Sequence, residues 1–135
     1  MADAKKYSVA LVSSTASCNL AAAATTEKVL YTVPTGVTFV PVMVVMRAFS
    51  AQDNATPAIV DFGIGGGACD EFLASQTISG MTANYAEECL ILQPVPAATP
   101  VTVDKIAAGS TFSMEIVQAN GAALTCTIDV FGYLF

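Results

Sequence analysis

The sequence predicts an all-β fold: an antiparallel β-sandwich of jelly-roll type with an extended or short-helical N-terminal segment. Three observations predict it. Apolar residues alternate with a period of two rather than recurring every three to four positions. Turn formers punctuate the chain at short intervals: Pro34-Thr35-Gly36, Asp53-Asn54, Gly65-Gly66-Gly67, Pro94 through Pro100, Gly109-Ser110 and Asn120-Gly121. Eight short strand-like segments fit in 135 residues, a density typical of sandwiches and jelly rolls. The division expected is an N-terminal arm or first strand over 1–26 and a sandwich over 27–135, one domain overall. A chain of this length buries roughly 70% of its unfolded surface, so it needs no metal or disulfide staple.

Taken in order, the first expected strand is 6–12. SCNLAAAATT (17–26) reads as a short helix or an extended arm. Strands are expected at 28–33 and 37–49. The second of these is apolar on both faces, with Val40, Val42, Val44 and Met46 alternating with Phe39, Pro41, Met43 and Val45. One face must meet the core and the other must be covered. Pro41 donates no ladder hydrogen bond, which suggests an edge or a bulge. Strand 58–64 follows, then DEFLASQT (70–77) as one or two helical turns inside a long connection. Strands are expected at 88–93, 101–106, 111–118 and 123–134.

The last two read as a hairpin. A three-residue loop, Ala119-Asn120-Gly121 with Gly121 left-handed, pairs Ile116 with Leu124, Met114 with Cys126 and Phe112 with Ile128. A two-residue turn would instead set Glu115 against Cys126 on an apolar face, because a slip of one residue flips every side chain. No internal repeat is visible.

Apolar residues make up 54% of the chain and charged residues only 12%, against about 25% charged in typical soluble domains. The longest apolar stretch, VTFVPVMVVM (37–46), is too short for a membrane span and contains a proline. A chain this size cannot enlarge its core much further, which leaves burial against other chains. The net charge is −6 with five basic residues, so the basic footprint of a nucleic-acid binder is missing. Acidity serves solubility before assembly. YSVALVSSTASC loosely mimics a secretory signal, but its apolar run is too short to be one.

Motifs that carry chemistry are weak. Gly63, Gly65 and Ala68 satisfy the G-x-G-x-x-A pattern of a dinucleotide loop, with Glu87 or Glu88 about 20 residues on. That chemistry needs a crossover helix whose N-terminus cradles a pyrophosphate, and DEFLASQT is a poor helix. Asp70-Glu71 and Glu87-Glu88 are adjacent residues, which point to opposite faces of a strand and so do not converge as an acid–base pair. There is no His, which removes His-activated nucleophiles. Asp53, Asn54 and Asp70 are loop oxygens whose spacing matches no calcium loop. Asn54-Ala55-Thr56 is a formal glycosylation sequon followed by Pro57. Cys18, Cys69, Cys89 and Cys126 form no CxxC pair and read as buried thiols of a chain made in a reducing compartment. The expectation is a protein that is not an enzyme and carries no cofactor or metal.

The final strand carries a different signal. In TCTIDVFGYLF (125–135) one face is core-like, while the other ends in Phe131, Tyr133 and Phe135. Exposed apolar patches mark partner surfaces. The expected interface residues are therefore Phe39, Met43, Val45, Phe131, Tyr133 and Phe135.

VLYTVPTGVTFVPVMVV, a glycine-rich middle, and IAAGSTFSMEIVQANGAALTCTIDVFGYLF together resemble small β-sandwich structural proteins of tailed bacteriophages. The V-P-x-G-x-T-F step and the terminal D-V-F-G-Y-L carry the resemblance, over scattered parts of 28–135. It implies a capsid decoration, or cement, protein on the virion surface, made in the host cytoplasm. Its implied partners are itself, as a homotrimer, and a major capsid protein, with neither nucleic acid nor membrane. The alternative is a fibre, knob or adhesin-type glycan-binding module. The absence of Trp and the presence of only four Tyr weigh against that reading.

Overall fold

The computed structural model describes residues 8–95 and 102–135. Among the described residues there are eight strands: β1 (Ala10–Asn19), β2 (Glu27–Thr32), β3 (Phe39–Arg47), β4 (Ala58–Ile64), β5 (Leu73–Ile78), β6 (Cys89–Leu92), β7 (Thr111–Gln118) and β8 (Thr125–Leu134). They form two antiparallel four-stranded sheets, ordered β1-β8-β3-β6 and β2-β7-β4-β5. The β-sandwich predicted from the sequence is thus present, with no helix among the described residues.

The topology follows from folding the chain in half at the β4–β5 connection. Each strand then pairs with its mirror image: β4 with β5, β3 with β6, β2 with β7 and β1 with β8. Rolling that ribbon adds the pairs β3–β8 and β4–β7 and closes the two sheets over one core.

This winding overturns the hairpin expected between the last two strands. β7 and β8 lie in different sheets. Phe112, Met114 and Ile116 and their expected partners Ile128, Cys126 and Leu124 are all buried, but they belong to opposite layers rather than to one ladder. The connection is held by other segments: Asn120 N–H donates to Leu20 O at 2.9 Å and Gly121 N–H to Thr56 O at 2.8 Å. Gly121 is not left-handed.

Between the layers, aromatic rings converge on Phe112. Its centroid lies 6.0 Å from Phe39, 6.3 Å from Phe62 and 5.6 Å from Phe72. Edge-to-face and offset contacts of this kind add to the burial of large rings. Phe39 also covers Gly132 on the neighbouring strand. A β-carbon at position 132 would lie 2.4 Å from Phe39 Cε1 and 2.3 Å from Val40 O. A glycine is therefore required where the core alternation of β8 would otherwise place a side chain.

Bulges decide which faces are buried. In β3 the register shifts between Pro41 and Met43. Phe39 and Pro41 face the core before the shift, and Val44 and Met46 after it. Neither of the two alternating sets read from the sequence is the core face along the whole strand. Pro41 marks this bulge, next to its partner Gly132 on β8, while the ladder to β6 covers only Val44–Arg47.

β5 replaces the helical turns expected at 70–77. Its buried residues, Leu73 and Ile78, are five apart, which a regular strand would put on opposite faces. A register shift and the left-handed Ser75 (φ 52°) bring them to the same side. Asp61 Oδ1 accepts the Ser75 N–H at 2.6 Å, which satisfies an amide taken out of the ladder. Residues 102–106 form no strand, and Ile106 alone bridges Phe39; position 101 lies outside the described residues.

The N-terminal segment belongs to the sandwich. β1 runs from Ala10 to Asn19, beyond the 6–12 expected, and carries the start of SCNLAAAATT as a strand. Cys18 and Leu20 are core residues. Ser13 Oγ donates to Leu30 O, tying β1 to β2 across the two sheets.

Candidate interaction surface

The outward face of the β1-β8-β3-β6 sheet gathers most of the residues expected at an interface. Strand register sets its rows. Tyr133 pairs with Val40, and Phe131 pairs with Met43 on one side and Leu11 on the other. The next row is Ser14–Asp129–Val45–Ile91, and the next Thr127–Arg47–Cys89. Leu11 is 53% exposed and Ile91 61%, while Met43, Val45, Phe131 and Tyr133 are half-buried by their neighbours. An apolar band therefore crosses all four strands on the solvent side. Its continuation reaches Phe135, 47% exposed, whose ring stacks on Tyr133 at 6.3 Å.

Of the six expected interface residues, Phe39 is a correction. It is fully buried, because the β3 bulge turns it inward over Gly132. The other five lie on this face or at its end. Leu11 and Ile91 also lie on this face, which only the pairing of β1 with β8 and of β6 with β3 reveals.

The polar end of the band is internally compensated. Arg47 Nε donates to Asp129 Oδ2 at 2.7 Å, and Ser14 Oγ donates to Asp129 Oδ1 at 2.6 Å. Burial pushes the Asp129 carboxyl up, but the bonds from Arg47 and Ser14 outweigh it and hold it below its ordinary value.

The glycine-rich loop does not form a nucleotide site. It joins β4 to β5, which are antiparallel neighbours in one sheet, whereas the dinucleotide motif needs a parallel crossover. Its amides are already used. Gly66 N–H donates to Glu27 Oε1 at 2.7 Å, and Ile64 N–H to Glu71 Oε2 at 2.8 Å. The Glu71 carboxylate lies over Gly63, where a β-carbon would come within 2.2 Å of it. The Gly66 amide holds Glu27 below the usual carboxylate range.

Asp53 and Glu88 bind backbone as well. Asp53 accepts Gly80 N–H at 2.7 Å and Met81 N–H at 2.9 Å, and Glu88 accepts Thr82 N–H at 2.7 Å. Asn54 Oδ1 accepts Thr56 N–H at 2.9 Å. Asp53, Asn54 and Asp70 are not brought together; among the described residues no cluster of three His, Cys, Asp or Glu side chains converges.

All four cysteines are free. Cys18, Cys69 and Cys126 are buried, whereas Cys89 is exposed, a correction to the expectation of four buried thiols. Burial raises the Cys69 thiol to about 12, helped by its hydrogen bond to Glu27, and burial likewise raises Cys126 to about 12. Neither is an activated nucleophile.

No family model, no curated protein and no solved structure matches this chain.

Proposed function

We propose that this protein is a structural subunit that acts by assembly, of the capsid-decoration kind, with copies of itself and a shell protein as partners. The observation that carries the reading is the solvent-facing band Leu11–Phe131–Met43 with Val45–Ile91, on a sheet already covered on its other side by the core. Isolated exposed apolar residues are ordinary, but a contiguous patch marks a partner surface. The strand order, a ribbon folded at β4–β5 and rolled, supports the jelly-roll reading of the fold, an architecture common in capsid proteins. The low charge content has the same explanation.

The mechanism is mass action. A subunit that binds the assembled lattice and not its dissociated components shifts the equilibrium toward the lattice. The test is co-sedimentation with heads prepared from the source virus without this protein, followed by a heat challenge. Decorated heads are expected to survive heating that disrupts bare heads, and Phe131→Glu is expected to abolish both binding and protection. Binding unaffected by Phe131→Glu would overturn the reading.

A further inference from the structure

We infer that Cys18 and Cys126 are a latent disulfide site: two thiols held opposite each other inside the fold, which a small-molecule disulfide converts to a cross-strand S–S bond between β1 and β8. The inference is independent of what the outward face of the sheet binds.

Register brings the pair together. Cys18 and Cys126 are partners in the β1–β8 ladder. Each is 1% exposed, so both side chains lie on the core side. Two positions along the same ladder, Leu20 N–H donates to Leu124 O at 2.9 Å. Cys18 and Cys126 are therefore a hydrogen-bonded pair, whose Cα atoms stand about 5.5 Å apart. A disulfide spans Cα separations of about 4.4–6.8 Å. In the reduced chain the Cys18 thiol donates to Thr15 O at 3.4 Å. Rotation about the Cα–Cβ bond releases that weak contact and lets the sulfur approach Cys126.

The other cysteines offer no competing partner. Cys89 is exposed on β6, which β3 separates from β8. Cys69 lies in the β4–β5 connection of the other sheet, its thiol donating to Glu27 Oε1 at 3.4 Å.

The bond would fasten an edge strand. β1 is the last strand of its sheet. Its register to β8 breaks between Leu11 and Ser13 and again between Thr15 and Cys18, where Ser17 is left-handed at φ 56°. A link at the second break joins the first strand to the last and closes most of the chain into one loop. Long loops are where a cross-link restricts the unfolded chain most.

Thiol–disulfide exchange supplies the chemistry. When β1 opens, one cysteine thiolate attacks a sulfur of the oxidant R–S–S–R and one R–S⁻ leaves. The second thiolate attacks the protein sulfur of that mixed disulfide, the Cys18–Cys126 bond forms, and the other R–S⁻ leaves. The two leaving thiolates take up the two protons that the cysteines released. The protein thus loses two electrons and two protons, and the oxidant gains both as two R–SH. Burial raises both thiols above their ordinary value, so the closed fold reacts slowly and a chain kept reduced retains its four free thiols.

The experiment is refolding of the full chain from urea in glutathione buffers of increasing oxidised-to-reduced ratio, which gives both thiols access to the oxidant. Cys89→Ser is run beside it to remove the exposed thiol. Free thiols are counted after unfolding, linked peptides are identified by non-reducing digestion and mass spectrometry, and melting is followed with and without reductant. In Cys89→Ser the three remaining thiols are expected to fall to one, with a peptide linking positions 18 and 126 in both chains. The linked form is expected to melt at least about 5 °C higher than the reduced form, and reductant should remove the gain. Cys18→Ala and Cys126→Ala should each form no such link. Three free thiols in Cys89→Ser at the most oxidising ratio, glutathione held on Cys18 or Cys126 in place of the bond, a link to Cys69 instead, or a linked form that melts no higher than the reduced one would overturn the inference.

Discussion

Met43 and Phe131 lie directly opposite each other on β3 and β8, on the solvent side of a sheet whose other side is the core. The pair is apolar where a soluble sandwich would carry polar residues. Its neighbours Leu11, Val45 and Ile91 extend it across the sheet. A cross-strand pair of this kind contributes about 0.2–1 kcal/mol to the fold. Phe131→Ser is therefore expected to lower stability by no more than about 1 kcal/mol and to weaken assembly strongly. Urea melts followed by circular dichroism, beside the solution mass, check this. An unfolded or severely destabilised variant would show that the residue serves the fold.

Gly132 is expected to tolerate nothing larger. A β-carbon there meets both the Phe39 ring and the backbone oxygen of Val40, and the second cannot rotate away. Gly132→Ala should cost about 1–3 kcal/mol or more, the usual penalty of overpacking a fixed site. Gly67→Ala, where a β-carbon meets open space, is the control. A urea midpoint for Gly132→Ala equal to that of the control would contradict the packing described.

Glu27 gives the fold a defined pH dependence. Its carboxylate is held below the ordinary value chiefly by the Gly66 amide. A depressed folded-state value stabilises the fold above the unfolded value of 4.5, and that contribution is lost as pH falls through the folded value. Glu27→Gln is expected to lower stability at pH 7 and to flatten the acid limb of the stability curve below about pH 4.5. Proteolysis of the 65–69 loop should quicken in the same variant. An unchanged acid limb would show that Glu27 does not hold the loop.

Glu115 sits between Glu27 and Asp61 on neighbouring strands. Like charges directly opposite one another destabilise a sheet, so Glu115→Gln is expected to raise stability by roughly 0.2–1 kcal/mol. The gain should shrink in high salt. A loss of stability would mean that the carboxylate has a bonding role in the fold.

Thiol reactivity should divide the cysteines. Cys89 is exposed, and Cys18, Cys69 and Cys126 are buried. In the native protein one thiol per chain is expected to react rapidly with a maleimide and three only on unfolding. Reductant should leave the melting temperature unchanged. A native protein with fewer than four titratable thiols after unfolding would reveal a disulfide.

Regular alternation was legible, and departures from it were not. β4 and β7 stand where their sequences place them, at Ala58–Ile64 and Thr111–Gln118, because Ala58, Val60 and Phe62 in one and Phe112, Met114 and Ile116 in the other keep a period of two. β5 hid because Leu73 and Ile78 share a face only through a bulge at Ser75. Phe39 was misplaced for the same reason, with the bulge at Pro41–Met43 reversing the face of β3. The β7–β8 register failed differently. Local turn chemistry at Asn120-Gly121 suggests a hairpin, but pairing about the β4–β5 fold sends the two strands to separate sheets. The aromatic end of β8 signalled the outer face, whereas Leu11 and Ile91 join it only through long-range register.

Cys89 offers the most direct measurement of the central claim, since it lies beside Arg47 on the outward face and is the exposed thiol. Its maleimide labelling rate would be compared between dilute free protein and protein assembled at high concentration or on heads. Burial of this face predicts labelling slowed at least roughly tenfold on assembly, as expected where water is excluded from an interface. An assembled protein that labels Cys89 as fast as the free chain would contradict the account.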